Sequence, residues 1–351
     1  MSVASPTTGV LIGDLSSALD RISQLGGGQP VPLVTDSRLL ALHGEKLAPV
    51  TLQPPILIPE GEAAKDWPTL AAIIAALDQR DVRRGTPIIA FGGGSVGDVT
   101  GLAASLYKRG CPVIKIPTTL LAQADSAIGG KTAIDAAGQK NLVGTFHMPA
   151  LVVADPSLLD TLDERQLRSG YAEVVKHGLI DDPDFFVWCE AHGAALIAGD
   201  REARLHAITH CIRAKSRFVA ADPLDTKGQR ALLNLGHSFA HAIEAVAGIG
   251  QLLHGEAVAI GLVLAFRLSA RLGHCSVLDA ERLAAHLMSV GLPTRLDQIG
   301  LGRSGGALLG PMKADKKNRD DRFTLILARG IGSAFHDQVP ATALSGFLAS
   351  A

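Results

Sequence analysis

The segment 87–98 reads Pro87-Ile88-Ile89-Ala90-Phe91-Gly92-Gly93-Gly94-Ser95-Val96-Gly97-Asp98, a short apolar run that ends in glycines. The apolar part predicts a buried strand, and the residues that follow, up to Arg109, predict a helix. Glycines between a strand and a helix let backbone N–H groups approach a phosphate at the positive end of the helix dipole. The spacing differs from the GxGxxG dinucleotide fingerprint, so a tight turn without a ligand is the alternative interpretation.

Similar apolar runs on both sides of this segment predict further strands, at 31–36, 55–59, 113–117 and 151–155, with a helix at 67–79. Continuous apolar strands joined by helical crossovers are typical of a parallel sheet that is covered on both faces. We therefore predict a Rossmann-like α/β domain over residues 1–162. Thr118 and Thr119 follow one strand at the edge where open α/β sheets bind ligands, although helix capping is the alternative role for these hydroxyls.

The second half of the chain has helical periodicity and few strand signals. The predicted helices are 164–179, 184–198, 202–220, 230–247, 255–272 and 279–290, and a glycine-rich loop is predicted at 302–310. These patterns predict an all-α domain over residues 163–351.

Composition excludes several classes of protein. A length of 351 residues suits one large or two ordinary domains, and a net charge of −1 argues against a nucleic-acid binder. The four cysteines form no CxxC pair, which predicts reduced thiols in a cytoplasmic protein. No signal peptide is visible, and the apolar stretch 257–266 is shorter than the roughly 20 residues that a bilayer requires, so we expect no membrane partner.

Five side chains are candidate metal ligands. Glu173 and His177 lie four residues apart, as do His237 and His241, so each pair shares a helix face, and His254 follows nearby. A zinc site with an open position takes three protein ligands. Spacing alone favours His237 with His241, whereas histidines that hydrogen-bond inside a helical bundle are the alternative interpretation.

Several cations lie in apolar or glycine-rich segments, where they suit a phosphorylated substrate. They are Lys131, Lys140, Lys176, Lys215 and Arg230. Phosphate is bound by charge-assisted donors of this kind, although a solvated surface charge is the commoner role of any one lysine.

Taken in order, these motifs resemble the 3-dehydroquinate synthase family of sugar-phosphate cyclases. The resemblance runs from about Asp36 to Lys317 and rests on the blocks 61–65, 92–98, 117–121, 125–132, 140–141, 172–176, 230–241 and 254–256. It implies an NAD-binding domain, a helical metal-binding domain, a zinc or cobalt ion and a cytoplasmic homodimer. The implied substrate is the phosphorylated sugar acid 3-deoxy-D-arabino-heptulosonate 7-phosphate, converted to 3-dehydroquinate and phosphate by transient oxidation, β-elimination, reduction and aldol cyclisation.

The resemblance also implies roles for individual residues. The implied metal ligands are Glu173, His237 and His254, with His241 facing the substrate and no role for His177. The implied NAD contacts are Asp36, Glu62, Lys65, Gly93, Gly94, Ser95, Asp98, Thr118, Thr119, Leu121, Asp125, Lys140 and Thr161. The implied substrate contacts are Lys131, Asn141, Lys176, Lys215, Arg230, Asn234, His241 and Lys316, and Arg109 would reach the phosphate site of the other subunit.

Three departures from the family pattern keep rival interpretations open. Ser95 replaces a usual apolar residue, Gln166 replaces a usual glutamate, and the segment 222–229 is one residue longer than usual. Ser95 is typical of related polyol and iron-type alcohol dehydrogenases. The alternatives are therefore another sugar-phosphate cyclase, a metal- and NAD-dependent polyol dehydrogenase, or an inactive paralogue that serves as a binding protein.

Overall fold

The structure is a computed structural model that describes residues 2–4, 9–248, 250–302, 305–313 and 321–350. The strands are β1 (Ser2–Ala4), β2 (Gly9–Ile12), β3 (Leu33–Thr35), β4 (Ile56–Leu57), β5 (Ile88–Gly92), β6 (Val113–Pro117), β7 (Lys131–Ala136), β8 (Gln139–Phe146), β9 (Leu151–Ala154), β10 (Arg322–Ala328) and β11 (Ala334–Pro340). The helices are α1 (Leu19–Leu25), α2 (Ser37–His43), α3 (Trp67–Gln79), α4 (Gly94–Leu106), α5 (Glu164–Asp181), α6 (Pro183–Ile197), α7 (Arg201–Ala221), α8 (His237–Ala247), α9 (His254–Arg271), α10 (Val277–Ser289), α11 (Leu309–Lys313) and α12 (Ala341–Leu348).

A seven-stranded sheet organises the first half of the chain. Its order is β1-β2-β9-β6-β5-β3-β4, and every neighbouring pair is parallel except β1 with β2. The central strands β5, β6 and β9 are buried along their whole length, as the continuous apolar runs predict. The predicted Rossmann-like α/β fold is therefore confirmed.

Strand alternation divides the core of this sheet into two layers. On β5, Ile88 and Ala90 join the apolar cluster that includes residues of α3 and α4, whereas Ile89 and Phe91 join the cluster on the opposite face. Successive side chains of a strand point to opposite faces, so each central strand contributes to both layers. The carboxyl ends of β5 and β6 therefore lie between two well-packed apolar layers.

The second half is helical, as predicted. Helix α9 is buried on almost every side and packs against α5, α8 and α10. One addition was not predicted: β10 and β11 form an antiparallel hairpin, in the register Arg322↔Pro340 to Ala328↔Ala334. The part of the chain that the structure describes holds no helix with the length and apolar character needed to cross a bilayer.

Two compact units emerge from the contacts between residues. One comprises the chain up to Asp163 together with Arg204–Leu224, and the other comprises Glu164–Ala203 with the chain from Asp225 onward. The first break lies one residue from the predicted division at 162/163. Most of α7 belongs to the first unit, although its sequence predicted it within the second domain.

Local elements differ from the predictions at three places. The hairpin β7–β8 occupies a stretch that we expected to be turn-rich, and it pairs Lys131 with Phe146. The predicted helix 230–247 is interrupted, because Gly236 adopts the left-handed φ of 79° between a short 3₁₀ helix and α8. The predicted loop 302–310 is wrong from Gly305 onward, where a 3₁₀ turn runs into α11.

Candidate cofactor and metal sites

The glycine segment forms a tight passage from β5 into α4, within the first unit. The first intrahelical hydrogen bond runs from the Gly97 amide to the Gly93 carbonyl, at 3.1 Å, so the amides of Gly94, Ser95 and Val96 precede the helical pattern. A Cβ atom at Gly93 would lie 3.1 Å from the methyl group of Thr119. The turn therefore brings bare backbone amides to the positive end of a 13-residue helix, which suits an anionic group such as a pyrophosphate.

A charged network lies beside this turn and is centred on Lys65, which is only 4% exposed. Its ammonium lies 3.0 Å from Asp98 Oδ2 and 3.7 Å from Glu62 Oε1, and it also donates to the Asn141 side-chain carbonyl. Ser95 Oγ donates to Glu62 Oε2 at 2.9 Å. Burial acts to lower the pKa of Lys65, but the charges of Asp98 and Glu62 outweigh it and raise that pKa above its ordinary value.

The other predicted cofactor residues of the first unit lie at carboxyl ends of strands or in short turns. Asp36 follows β3 and caps α2 by accepting from the Leu39 amide at 2.8 Å. Thr118 donates its amide to the Gly92 carbonyl, and Thr119 Oγ1 accepts from the Ala122 amide at 3.2 Å. These residues therefore lie at the carboxyl edge of the sheet, where open α/β sheets bind ligands.

Six further predicted residues also lie in the first unit. Lys215 on α7 forms an ion pair with the Asp125 carboxylate and donates to the Asp125 carbonyl at 2.6 Å. Thr161 Oγ1 lies 2.8 Å from His43 Nε2. Leu121 immediately precedes the turn Ala122–Ser126, and Lys140 lies on β8 beside Asn141. Lys131 opens β7 on the opposite strand of that hairpin, with an exposed side chain.

A candidate metal site lies in the second unit, where Glu173, His237 and His254 converge from α5, α8 and α9. One ligand atom from each lies within 4.8 Å of the others, and no other described residues form such a group. Glu173 Oε1 is 3.4 Å from Nε2 of each histidine. Glu173 is fully buried, with Oε2 paired to the Lys176 ammonium and Oε1 facing the two imidazoles. A carboxylate oxygen and two imidazoles in this arrangement fit a divalent zinc-type ion.

Glycines explain how histidines on two different helices reach one carboxylate. A Cβ atom at Gly236, directly before His237, would lie 2.7 Å from the Leu262 amide nitrogen, so a side chain there would push α8 away from α9. A Cβ atom at Gly255, directly after His254, would overlap the Ser169 carbonyl of α5. The Gly255 amide instead donates to Ser169 Oγ at 3.0 Å. Both histidine–glycine pairs therefore combine a candidate ligand with the close packing that positions it.

Outer contacts orient the two imidazoles. His237 Nδ1 donates to the Leu235 carbonyl at 3.2 Å, and His254 Nδ1 lies 3.5 Å from Glu244 Oε1. In each ring Nε2 is left as the ligand atom, which is the usual arrangement around a metal. Glu244 was not predicted from the sequence, although its position seven residues after His237 on a helix was an available signal.

The charges of the site shift the pKa values of all three ligands. Burial acts to raise the pKa of Glu173, but Lys176, whose ammonium lies 2.5 Å from Oε2, and the two histidines hold it well below its ordinary value. Burial, followed by the Lys176 charge, lowers the pKa of His237, which favours the neutral ligand form. Burial also acts to lower the pKa of His254, but hydrogen bonds to Glu173 and Glu244 raise it to about 9.

The remaining predicted residues of the second unit do not belong to this triad. Some border it, and others are buried at positions close to its members in the sequence. The His241 ring centroid is 5.6 Å from that of His237 and 6.2 Å from that of His254, so His241 borders the triad without belonging to it. Arg230 is buried in the 3₁₀ helix that ends at Asn234. His177 is buried on α5 and lies outside the triad. Lys316 lies outside the described residues.

Arg109 lies far from the glycine turn along the chain of the first unit. It follows α4 at the end opposite the glycine turn, and a helix of 13 residues is about 20 Å long. Arg109 is exposed and adopts a left-handed φ of 64°. Its side chain is therefore too far from the glycine turn of the same chain to contact it.

Comparison with solved structures defines the class of fold. The structure is similar to 2-epi-5-epi-valiolone synthase from Streptomyces hygroscopicus subsp. jinggangensis with NAD+ and Zn2+ bound, with a TM-score of 0.89 and 30% identity over 100% of this chain and 98% of that one. It is also similar to 2-deoxy-scyllo-inosose synthase complexed with carbaglucose-6-phosphate, NAD+ and Co2+, with a TM-score of 0.87 and 26% identity over 100% of both chains. The chain thus has the fold of the sugar-phosphate cyclases.

Sequence relatives narrow this class to one family. Residues 55–169 match the family described as 3-dehydroquinate synthase N-terminal, and residues 170–318 match 3-dehydroquinate synthase C-terminal. A 3-dehydroquinate synthase from Zymomonas mobilis subsp. mobilis is 53% identical over 284 residues, which cover 81% of this chain and 75% of that protein. The chain belongs to the 3-dehydroquinate synthase family, and the resemblance inferred from its motifs is confirmed.

Proposed function

We propose that this protein converts 3-deoxy-D-arabino-heptulosonate 7-phosphate to 3-dehydroquinate and phosphate, with NAD at the glycine turn and a zinc or cobalt ion at Glu173, His237 and His254. The observation that carries the proposal is the ligand triad with a buried ammonium beside it, Lys176 lying 2.5 Å from Glu173. When bound, the ion would supply Lewis-acid polarisation of a substrate hydroxyl, and NAD would supply a reversible hydride acceptor.

The residues of the chain then bind, orient and exchange protons. Lys176 and Arg230, both buried, provide fixed positive charge for a phosphorylated substrate, which a dehydrogenase of simple polyols does not need. His241 borders the triad and is suited to move protons at the reacting carbons. In the first unit, Lys65, Glu62, Asp98 and Ser95 form a network that would hold one side of the dinucleotide in place.

One assay tests this reaction against its rivals. The purified protein is incubated with NAD, zinc or cobalt, and the heptulosonate phosphate, while phosphate, 3-dehydroquinate and NADH are measured. We expect phosphate and 3-dehydroquinate in equal amounts without net NADH, because the cofactor is regenerated in each turnover. Phosphate release from a hexose 6-phosphate instead would indicate another cyclase, and steady NADH formation on a simple polyol would indicate a dehydrogenase.

We also propose a homodimer in which Arg109 completes the phosphate site of the partner subunit. Its place at the far end of α4 supports this arrangement. Arg109→Ala and Glu173→Gln chains, each inactive alone, should regain about one quarter of the wild-type rate when unfolded and refolded together, because half of the random dimers carry one intact site. If the refolded mixture is dimeric by light scattering but regains no activity, Arg109 does not complete the partner's site. Residence of this dimer in the cytoplasm stays a prediction.

A further inference from the structure

A buried lysine, Lys115, lies in the middle of β6 and is not explained by the proposed contacts. It is flanked by apolar residues in Val113–Pro117 and is only 2% exposed. Strand alternation places it on the same face as Val113, which packs into the apolar cluster of α3 and α4. A charged amine on such a face is unfavourable for folding unless it has a compensating partner.

The side chain of Lys115 runs beneath the start of α4. Its terminal atoms lie 3.8–3.9 Å from the positions that Cβ atoms would occupy at Gly97 and Gly101. It lines a cavity of about 10 Å³ together with Gly93, Gly94 and Ser126. The Ser126 hydroxyl is buried and has no hydrogen-bond partner among the described residues. The Lys115 side chain and the Ser126 hydroxyl therefore both lie against the side of the glycine turn that faces this cavity.

The partners that the protein itself provides for this ammonium are weak. Its hydrogen bond to the Lys131 carbonyl is long, at 3.5 Å. The nearby Asp98 carboxylate attracts it but is already paired with Lys65, at 3.0 Å, and both Lys65 and the positive end of α4 repel it. Burial foremost, and then the Lys65 charge, lowers the pKa of Lys115, against the opposing effect of Asp98. An anion on the outer side of the turn would supply the missing counter-charge.

We infer that Lys115 is a cofactor-positioning residue, whose ammonium lies beneath the glycine turn and attracts the pyrophosphate of a dinucleotide bound on its outer side. This inference rests on the proposed NAD site at the turn. The charge acts through the backbone of the turn, because Gly93 and Gly94 line the same small cavity as Lys115 and electrostatic attraction is stronger there than in bulk water. The lysine is therefore retained for binding, at the expense of the stability of the protein without cofactor.

The test compares Lys115→Met with wild type, in the full chain, by calorimetric titration of ADP and NAD and by thermal unfolding without nucleotide. Methionine keeps the length and removes the charge. We expect both nucleotides to bind about tenfold more weakly, while the unfolding midpoint stays equal to or rises above that of wild type. Lys108→Met is the matched control for binding, because it removes the same charge beyond the other end of α4, and its affinities for ADP and NAD should stay at wild-type values.

Each other outcome decides against the inference. Unchanged ADP affinity in Lys115→Met would show that the charge does not reach the pyrophosphate. A lower midpoint together with weaker binding would show that Lys115 is a structural residue of the core. If wild-type protein binds neither ADP nor NAD, the proposed cofactor site fails on its own account, whatever the variant does.

Discussion

Each unit of the molecule contains a buried lysine–carboxylate pair, and the two pairs differ in what surrounds them. In the first unit, Lys65 meets two carboxylates, Asp98 and Glu62, together with the Asn141 carbonyl. In the second unit, the carboxylate of Glu173 meets one lysine, Lys176, and two histidines. The first cluster surrounds a cation with acceptors, whereas the second surrounds one anion with an ammonium and two imidazoles, and each neutral imidazole carries a lone pair.

This difference separates a self-sufficient network from a ligand set. The acceptors around Lys65 raise its pKa despite burial, so the protein alone satisfies the charge. In the second cluster Lys176 is paired with Oε2 of Glu173, whereas Oε1 faces two imidazole Nε2 atoms, each 3.4 Å away. Removing one of the three candidate ligands in the second cluster should therefore abolish metal binding, and removing one of the first should mainly reduce stability.

The largest effect is expected for Glu173→Gln. The amide is a poor metal ligand, so the zinc content should fall from about one to near zero per chain, and phosphate release should fall by at least about 10³-fold. Metal analysis after dialysis and a phosphate assay measure both quantities. Glu190→Gln is the matched control, because Glu190 pairs with Arg282 on the surface of the same unit, and it should keep its metal and its rate. Wild-type metal content in Glu173→Gln would remove Glu173 from the ligand set.

A smaller and more selective loss is expected for His241→Ala. Its ring lies 5.6 Å from that of His237, close enough for proton transfer at a bound substrate but outside the triad. Activity should fall by about 10²–10⁴-fold, the usual contribution of a general acid or base, while the zinc content stays at the wild-type value. His254→Ala, assayed beside it, should lose the metal. The reverse pattern would make His241 the ligand that its four-residue spacing from His237 first indicated.

The choice between these two histidines shows where sequence reasoning reached its limit. Residue types and one-helix periodicity were enough to predict the set of five candidates. Spacing could not exclude His241, because the selection depends on how closely α8 and α9 approach each other at Gly236. Of the sequence signals, only the family resemblance favours His254 over His241. Packing between helices is a property of two segments together, which the pattern of either one does not contain.

Elsewhere in the chain, too, an element was predictable only where its own segment carries the signal. The central strands were predictable because burial on both faces leaves a continuous apolar run. The hairpin β7–β8 was not, because its second strand is largely exposed and rich in polar residues. Lys115, which was not among the predicted site residues, also has a signal in the sequence. A single charge within an otherwise buried strand requires a partner.

Replacing the cation of the self-sufficient network tests the other side of the comparison. Lys65→Met leaves Asp98 and Glu62 without their buried counter-charge, so the free energy of unfolding should fall by about 3 kcal/mol. Urea unfolding measures the loss, and the zinc content should not change. In the double variant Lys65→Met with Asp98→Asn, the loss should be smaller than the sum of the two single losses. Additive losses would show that the two side chains are not coupled.

The same pair predicts a pH dependence at the alkaline end. Burial acts to lower the pKa of Lys65, but Asp98 and Glu62 raise it above its ordinary value of 10.5 in the folded protein. The resulting stabilisation is complete below the unfolded pKa and is lost as the pH rises through the higher folded value. The difference in unfolding free energy between wild type and Lys65→Met should therefore stay constant from about pH 7 to 9 and shrink above about pH 10.5. A difference that shrinks below pH 9 would contradict the raised pKa.

The smallest effect is expected for Ser95→Ala, which removes one neutral donor from the edge of the first cluster. Its hydroxyl donates to Glu62 Oε2 at 2.9 Å, whereas Lys65 keeps Asp98 as its nearer carboxylate. Loss of a half-buried hydrogen bond of this kind costs about 1 kcal/mol, so NAD should bind no more than about fivefold more weakly. Because the contact of Ser95 with Glu62 explains its presence, the variant should release phosphate without net NADH, as wild type does. Net NADH from wild type that disappears in Ser95→Ala would instead assign this serine to dehydrogenase chemistry.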